Sequence, residues 1–163
     1  MTDATAPPKR SRILPEGWYR RHRVEALGLF RETGDMERVA WTLQCLGYLA
    51  IDQRDVTGAA APLRDAFRLR RAQRHLPGLA IVLDGIATLS VWNAQHDIAR
   101  ALFAAADDLR AASGVQAAID EPAVIDARRV VGPLSGETDR VSSEVDAILG
   151  DVDRMVAAVI TPA

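Results

Sequence analysis

Apolar residues recur at three- and four-residue spacing along nearly the whole chain, and the runs break at glycine, proline and small polar residues. That period belongs to amphipathic helices; strands alternate every second residue. Val24, Leu27 and Phe30 predict a first helix over Trp18 to Thr33, stopped by Gly34-Asp35 as a C′ glycine stops a helix. A second is predicted from about Met36 to Gln53. Asp55 or Thr57 caps a third, which reaches about Arg74. Pro62 lies inside it, so that helix either starts late, near Ala59, or is kinked. Pro77-Gly78 opens a fourth to about Asn93, and Asp97 caps a fifth that ends near Ser113-Gly114. Residues 115–122 read as a loop. Two more helices follow, over about 122–131 and 140–160, separated by Gly132-Pro133, Ser135-Gly136 and Thr138. No segment alternates as a strand does, so the predicted class is all-α.

An offset of about 40 residues brings like onto like. Ala26 falls on Ala66, Leu29 on Leu69, Ala40 on Ala80, Leu43 on Leu83, Leu49 on Leu89 and Ala59 on Ala99. These are apolar or small residues, recurring where two antiparallel helices need a large side chain beside a small one. The predicted layout is therefore two tandem helix hairpins, units of about 36–74 and 76–114, with an N-terminal helix before them and a cap over 122–160 after them. Residues 1–16 read as a disordered basic leader, and 17–163 as one helical domain.

In the first unit Leu46-Gly47, Ala50, Asp55, Ala59, Leu63 and Ala66 resemble the tetratricopeptide signature. The second unit departs from it, with Ala87 in place of the glycine and Ser90 at the aromatic-or-alanine position. Three further stretches resemble the C-terminal sensor region of bacterial LuxR-type regulators and large signalling ATPases. They are the run Ala66 to Arg71, the run Ala101 to Arg110 with Gly114 after it, and Ile148-Leu149-Gly150-Asp151. The resemblance spans residues 24–160 and implies an α-solenoid. It does not extend to the family's ATPase, since no GxxxxGK[ST] loop is present.

Helical spacing divides the first helix of each unit into two faces. Leu43, Leu46, Gly47 and Ala50 fit a core. Trp41, Gln44, Tyr48, Ile51 and Asp52 share another face, matched in the next unit by Ile81, Asp84, Thr88, Val91 and Trp92. The resemblance implies that this second face lines a concave groove, with Trp41, Tyr48 and Trp92 as anchors for a protein or peptide. Asp52 and Asp84 make the expected groove acidic, suited to cationic groups.

Composition narrows the chemistry further. The 163 residues are 48% hydrophobic and 26% charged, with a formal net charge of −2, so no polyanion-binding signature marks the whole molecule. The basic stretch from Lys9 to Arg23 faces an acidic C-terminal third. Lone Cys45 forms no internal disulfide and no cysteine zinc site, which reads as a reducing cytoplasm. No apolar run spans a bilayer. His22, His75 and His96 lack metal-ligand spacing, and no cofactor motif is present. Candidates for catalysis are His96 beside Asp97, and Asp52 with Asp84 as a paired acid and base. Val141, Val145, Ile148, Val152, Met155 and Val159 form a short seam that caps the array or joins a homodimer. The expected function is a non-enzymatic interaction module. A small-molecule binder or small enzyme with an enclosed pocket is the alternative, and nucleic-acid binding by the leader is the weakest reading.

Overall fold

A computed structural model describes residues 17–115, 120–132 and 156–159. The elements are helices α1 (Trp18–Glu32), α2 (Met36–Asp52), α3 (Val56–Ala72), α4 (Leu76–Trp92), α5 (His96–Ser113) and α6 (Pro122–Val131). Residues 156–159 are also helical, and there is no strand among the described residues. The chain is all-α. The leader and most of the expected C-terminal cap lie outside the described residues; of the seam, Val159 is described and packs against the core.

The turns explain the spacing of the helices. Their N-cap residues are Asp35, Asp55, His75 and Gln95, one every 20 residues. Before each cap stands a residue with positive φ: Gly34, Arg54, Arg74 and Ala94. The amides of Asp35, Asp55, His75 and Gln95 donate to the carbonyls of Phe30, Ala50, Arg70 and Ser90. This six-to-one closure is a Schellman turn. Only Gly34 takes the left-handed conformation without a side-chain penalty; at Arg54, Arg74 and Ala94 the closure outweighs it. Asp35 and Asp55 also accept the amides of Arg38 and Gly58, and His75 Nδ1 accepts that of Gly78. Two expectations change here. α3 begins at Val56 and runs through Pro62, and α5 begins at His96 after Gln95. Asp97 is therefore inside the first turn of α5, paired with Arg100 at 2.8 Å.

α2 packs chiefly on α3 and α4 on α5, while α3 joins the two pairs by lying on α4. α1 covers α2, and α6 lies on α4 and α5. α4 is the central helix: from Gly78 to Val91 only Ile81 is not fully buried. Such a helix is apolar nearly all round because it has neighbours nearly all round.

Leu63 of α3 is fully buried and sits where two glycines leave room. A Cβ on Gly47 of α2 would lie 2.6 Å from Leu63 Cγ and Cδ2, and one on Gly85 of α4 would lie 3.2 Å from both Leu63 methyls. Gly47→Ala is expected to destabilise the protein by about 1–2 kcal/mol, because overpacking outweighs alanine's better helix propensity. Gly28→Ala, where nothing lies within 4 Å of the new carbon, should instead stabilise by about 0.5–1 kcal/mol. Urea denaturation of the two variants tests the pair, and a gain in both would show that Leu63 yields freely.

Candidate functional site

α2 and α4 touch along one side, and a single side chain fixes their register there. The Tyr48 hydroxyl of α2 donates to the Ile81 carbonyl of α4 at 2.7 Å. Burial holds the ionisation of this phenol well above the ordinary tyrosine range, and the Asp84 carboxylate nearby adds to the effect. Tyr48 is thus a neutral donor that ties two helices together.

Next to it lies a buried ionic cluster. Asp84 of α4 is inward-facing, its side chain 3% exposed. Arg128 Nη2 of α6 donates to its Oδ1 at 2.7 Å, and Arg110 Nη2 of α5 donates to its Oδ2. Asp107 of α5 accepts from Arg128 through both oxygens, at 2.9 and 3.0 Å, and from Arg110 at 2.9 Å. Two carboxylates and two guanidiniums balance. The Arg128 guanidinium also lies over the Phe103 ring, 4.4 Å from its centroid. Burial pushes the Asp84 carboxyl above the ordinary carboxylate range, against the pull of Arg110 and Arg128. For Arg128, burial works against the charge, but the hydrogen bond to Asp107 and the charge of Asp84 outweigh it and hold the proton more tightly than usual. Both Arg Nε atoms are buried with no acceptor among the described residues. The cluster is a latch between α4, α5 and α6.

This geometry corrects the expected groove. Asp84 cannot supply an open acidic surface, nor share a proton with Asp52, because its two oxygens are taken by guanidiniums while Asp52 is exposed. Ile51, Thr88 and Val91 are buried in the core, and the Thr88 hydroxyl donates to the Asp84 carbonyl at 2.8 Å. What stays accessible is Trp41, 46% exposed, with Asp52 and the half-buried Gln44, Tyr48, Ile81 and Trp92. Each indole carries a guanidinium: Arg23 of α1 lies 4.3 Å over Trp41, and Arg54 lies 4.7 Å over Trp92. His96 is exposed at the first residue of α5. Burial raises the Cys45 thiol above its ordinary range, which keeps it protonated and weakly nucleophilic.

No protein-family model, curated protein or solved structure matches the chain. Among the described residues no group of three or more His, Cys, Asp and Glu converges to hold a metal. No helix among them is long and apolar enough to cross a membrane.

Sequence reasoning missed Arg110, Arg128 and Asp107. A signal was present in the repeat itself. Arg110 stands 40 residues after Arg70, and Asp84 stands 40 after Gln44. In the first unit Arg70 is also buried, donating to Glu37 at 2.7 Å. That hydrogen bond, with the charge behind it, holds the Glu37 carboxyl below the usual glutamate range. Arg70 Nε and Gln44 Oε1 are both buried with no partner among the described residues. The first unit thus repeats the buried arginine of the second, with Gln44 at the position of Asp84 and Glu37 as the carboxylate it meets.

Asp84→Ala leaves two largely buried guanidiniums sharing the half-exposed Asp107 alone and is expected to cost about 3–5 kcal/mol. Asp107→Ala, at a half-exposed carboxylate, should cost nearer 1 kcal/mol. Denaturation of both variants compares them, and equal losses would remove Asp84 from the centre of the latch.

Proposed function

We propose that the chain is a tetratricopeptide-like interaction module that binds a peptide or protein segment along the wall formed by α2 and α4. Two 40-residue units support the arrangement, as does the contact between the first helices of those units, bridged by Tyr48 and Ile81. Trp41 carries the reading. A large indole nearly half exposed on a packed helix leaves apolar area in water that a partner would cover. Gln44, Tyr48 and Ile81, on the same wall, are half-buried. Partners of this kind engage one aromatic anchor inside a ring of weaker contacts.

The cluster at Asp84 alters the kind of partner expected. With that carboxylate neutralised, the wall is aromatic and polar, edged by Arg23 and by Asp52. A segment with an apolar anchor suits it better than a strongly cationic one. The committed state of Asp84 also takes away the acid–base pair on which an enzymatic reading rested. The resemblance to sensor regions gives the module a regulatory sense, with the bound segment as the signal.

Peptides selected from a displayed library against the folded protein provide the test. Trp41→Ala is expected to weaken the selected peptides at least about tenfold, the usual loss at an anchor residue. Trp18→Ala, at the exposed start of α1, should leave them unchanged. Helical circular dichroism checks that both variants are folded. Peptides indifferent to Trp41 would mean that the wall is not the binding surface.

A further inference from the structure

Aligning the two units residue by residue exposes a difference on another face of α2. A cleft of about 170 Å³ opens there, lined by Arg20 and Val24 of α1, by Leu46, Leu49 and Ala50 of α2 with its C-cap Gln53, and by Gly58 and Pro62 of α3. By helical spacing these α2 residues point well away from Trp41 and Tyr48. Forty residues on, the corresponding positions of α4 are Ile86, Leu89 and Ser90, all essentially inaccessible. Leu46 and Leu49 in the first unit are only half-buried, and Val24 at the rim is 53% exposed.

The cause lies in the next helix of each unit. Positions 98 and 102 of α5 hold isoleucine and leucine, with four side-chain carbons each. The matching positions of α3 hold Gly58, with none, and Pro62, with three. Gly58 is tied to its cap: its amide donates to Asp55 Oδ1 at 2.8 Å, and a Cβ would fall 2.1 Å from Asp55 Oδ2. Gln95 makes no side-chain cap bond, so isoleucine fits at position 98. The second unit therefore shows what the first lacks, two branched aliphatic side chains one helical turn apart. The charged residue lining the cleft is Arg20, exposed and without an ion pair among the described residues. Its neighbour Arg21 is exposed as well.

We infer that this cleft is a second docking site, for an acidic amphipathic helix of a protein partner. That helix inserts an isoleucine-or-leucine pair spaced four residues apart between α1 and α3, and places a carboxylate against Arg20. Aliphatic burial supplies the attraction, and the carboxylate fixes the orientation. This site is separate from the wall at Trp41 and does not depend on it.

The probe is a fluorescein-labelled, helix-stabilised peptide with isoleucine and leucine four residues apart and glutamates flanking them, compared with its scrambled sequence by fluorescence anisotropy. The ordered peptide is expected to bind and the scrambled one to bind at least about tenfold less well. Pro62→Leu supplies the side chain that Leu102 supplies in the second unit. It should raise the melting temperature while weakening the peptide at least about tenfold. Arg20→Glu, on an exposed surface, should weaken it about threefold or more, with a larger effect at low salt. Trp41→Ala should leave this peptide unchanged, which separates failure here from failure at the wall. Equal binding of the scrambled peptide, no binding at all, or indifference to both Pro62→Leu and Arg20→Glu would overturn the inference. So would sedimentation showing a dimer that Arg20→Glu dissociates, since the occupant would then be a second copy of the chain.

Discussion

The seat of Leu63 between Gly47 and Gly85 is the constraint on which the remaining geometry rests. Helices normally keep their axes apart by the width of their side chains. Here one leucine on α3 meets two helices at positions with no side chain, so α3 can lie against α2 and α4 together. That brings α2 and α4 near enough for the Tyr48 hydroxyl to reach the Ile81 carbonyl. The wall at Trp41 is thus a consequence of packing on another side of α2.

Leu63 and its surroundings are satisfied by apolar contact, but the far end of the molecule relies on charge. α6 buries only Val124, Ala127 and Val131 fully, a small apolar face for a ten-residue helix. Arg128 adds the hold by bridging Asp84 and Asp107, with its guanidinium over Phe103. Burying Asp84 carries a desolvation cost, visible as the upward push on its carboxyl. The cost is offset by guanidiniums from two different helices. Removal of Asp84 leaves Arg110 and Arg128 with the half-exposed Asp107 alone.

The helices and the 40-residue unit were legible because periodicity and turn residues are local properties. Asp55 before Val56, and the small residues at 40, 47, 59 and 66, report their roles without knowledge of the fold. One boundary was misread for a physical reason, and one open choice was decided. Pro62 looks like a helix breaker, yet α3 takes Asp55 as its cap and runs from Val56 through the proline, so the late start near Ala59 does not occur. Asp97 looks like a cap, yet the Schellman turn through Ala94 places Gln95 there. The candidate wall was legible only in part. Spacing placed Ile51, Thr88 and Val91 on the same stripe as Trp41, but which part of a stripe is covered depends on a neighbouring helix. The fate of Asp84 required Arg110 and Arg128, 26 and 44 residues away, and although Arg110 repeats Arg70, nothing in the spacing pairs either arginine with Asp84.

The two units differ in a consistent direction. Gln44 stands where the second unit has Asp84, Gly58 where it has Ile98, and Pro62 where it has Leu102. Each difference leaves the first unit less complete: a buried amide oxygen with no partner among the described residues, and an open cleft. The second unit closes its polar centre with α6 and its apolar side with α5. A repeat needs neighbours on both sides to bury its faces, and α1 serves the first unit poorly, since Leu27 is its single fully buried residue. The second hairpin with α6 is therefore the more completely buried part of the described residues, and the first hairpin with α1 is the more open one.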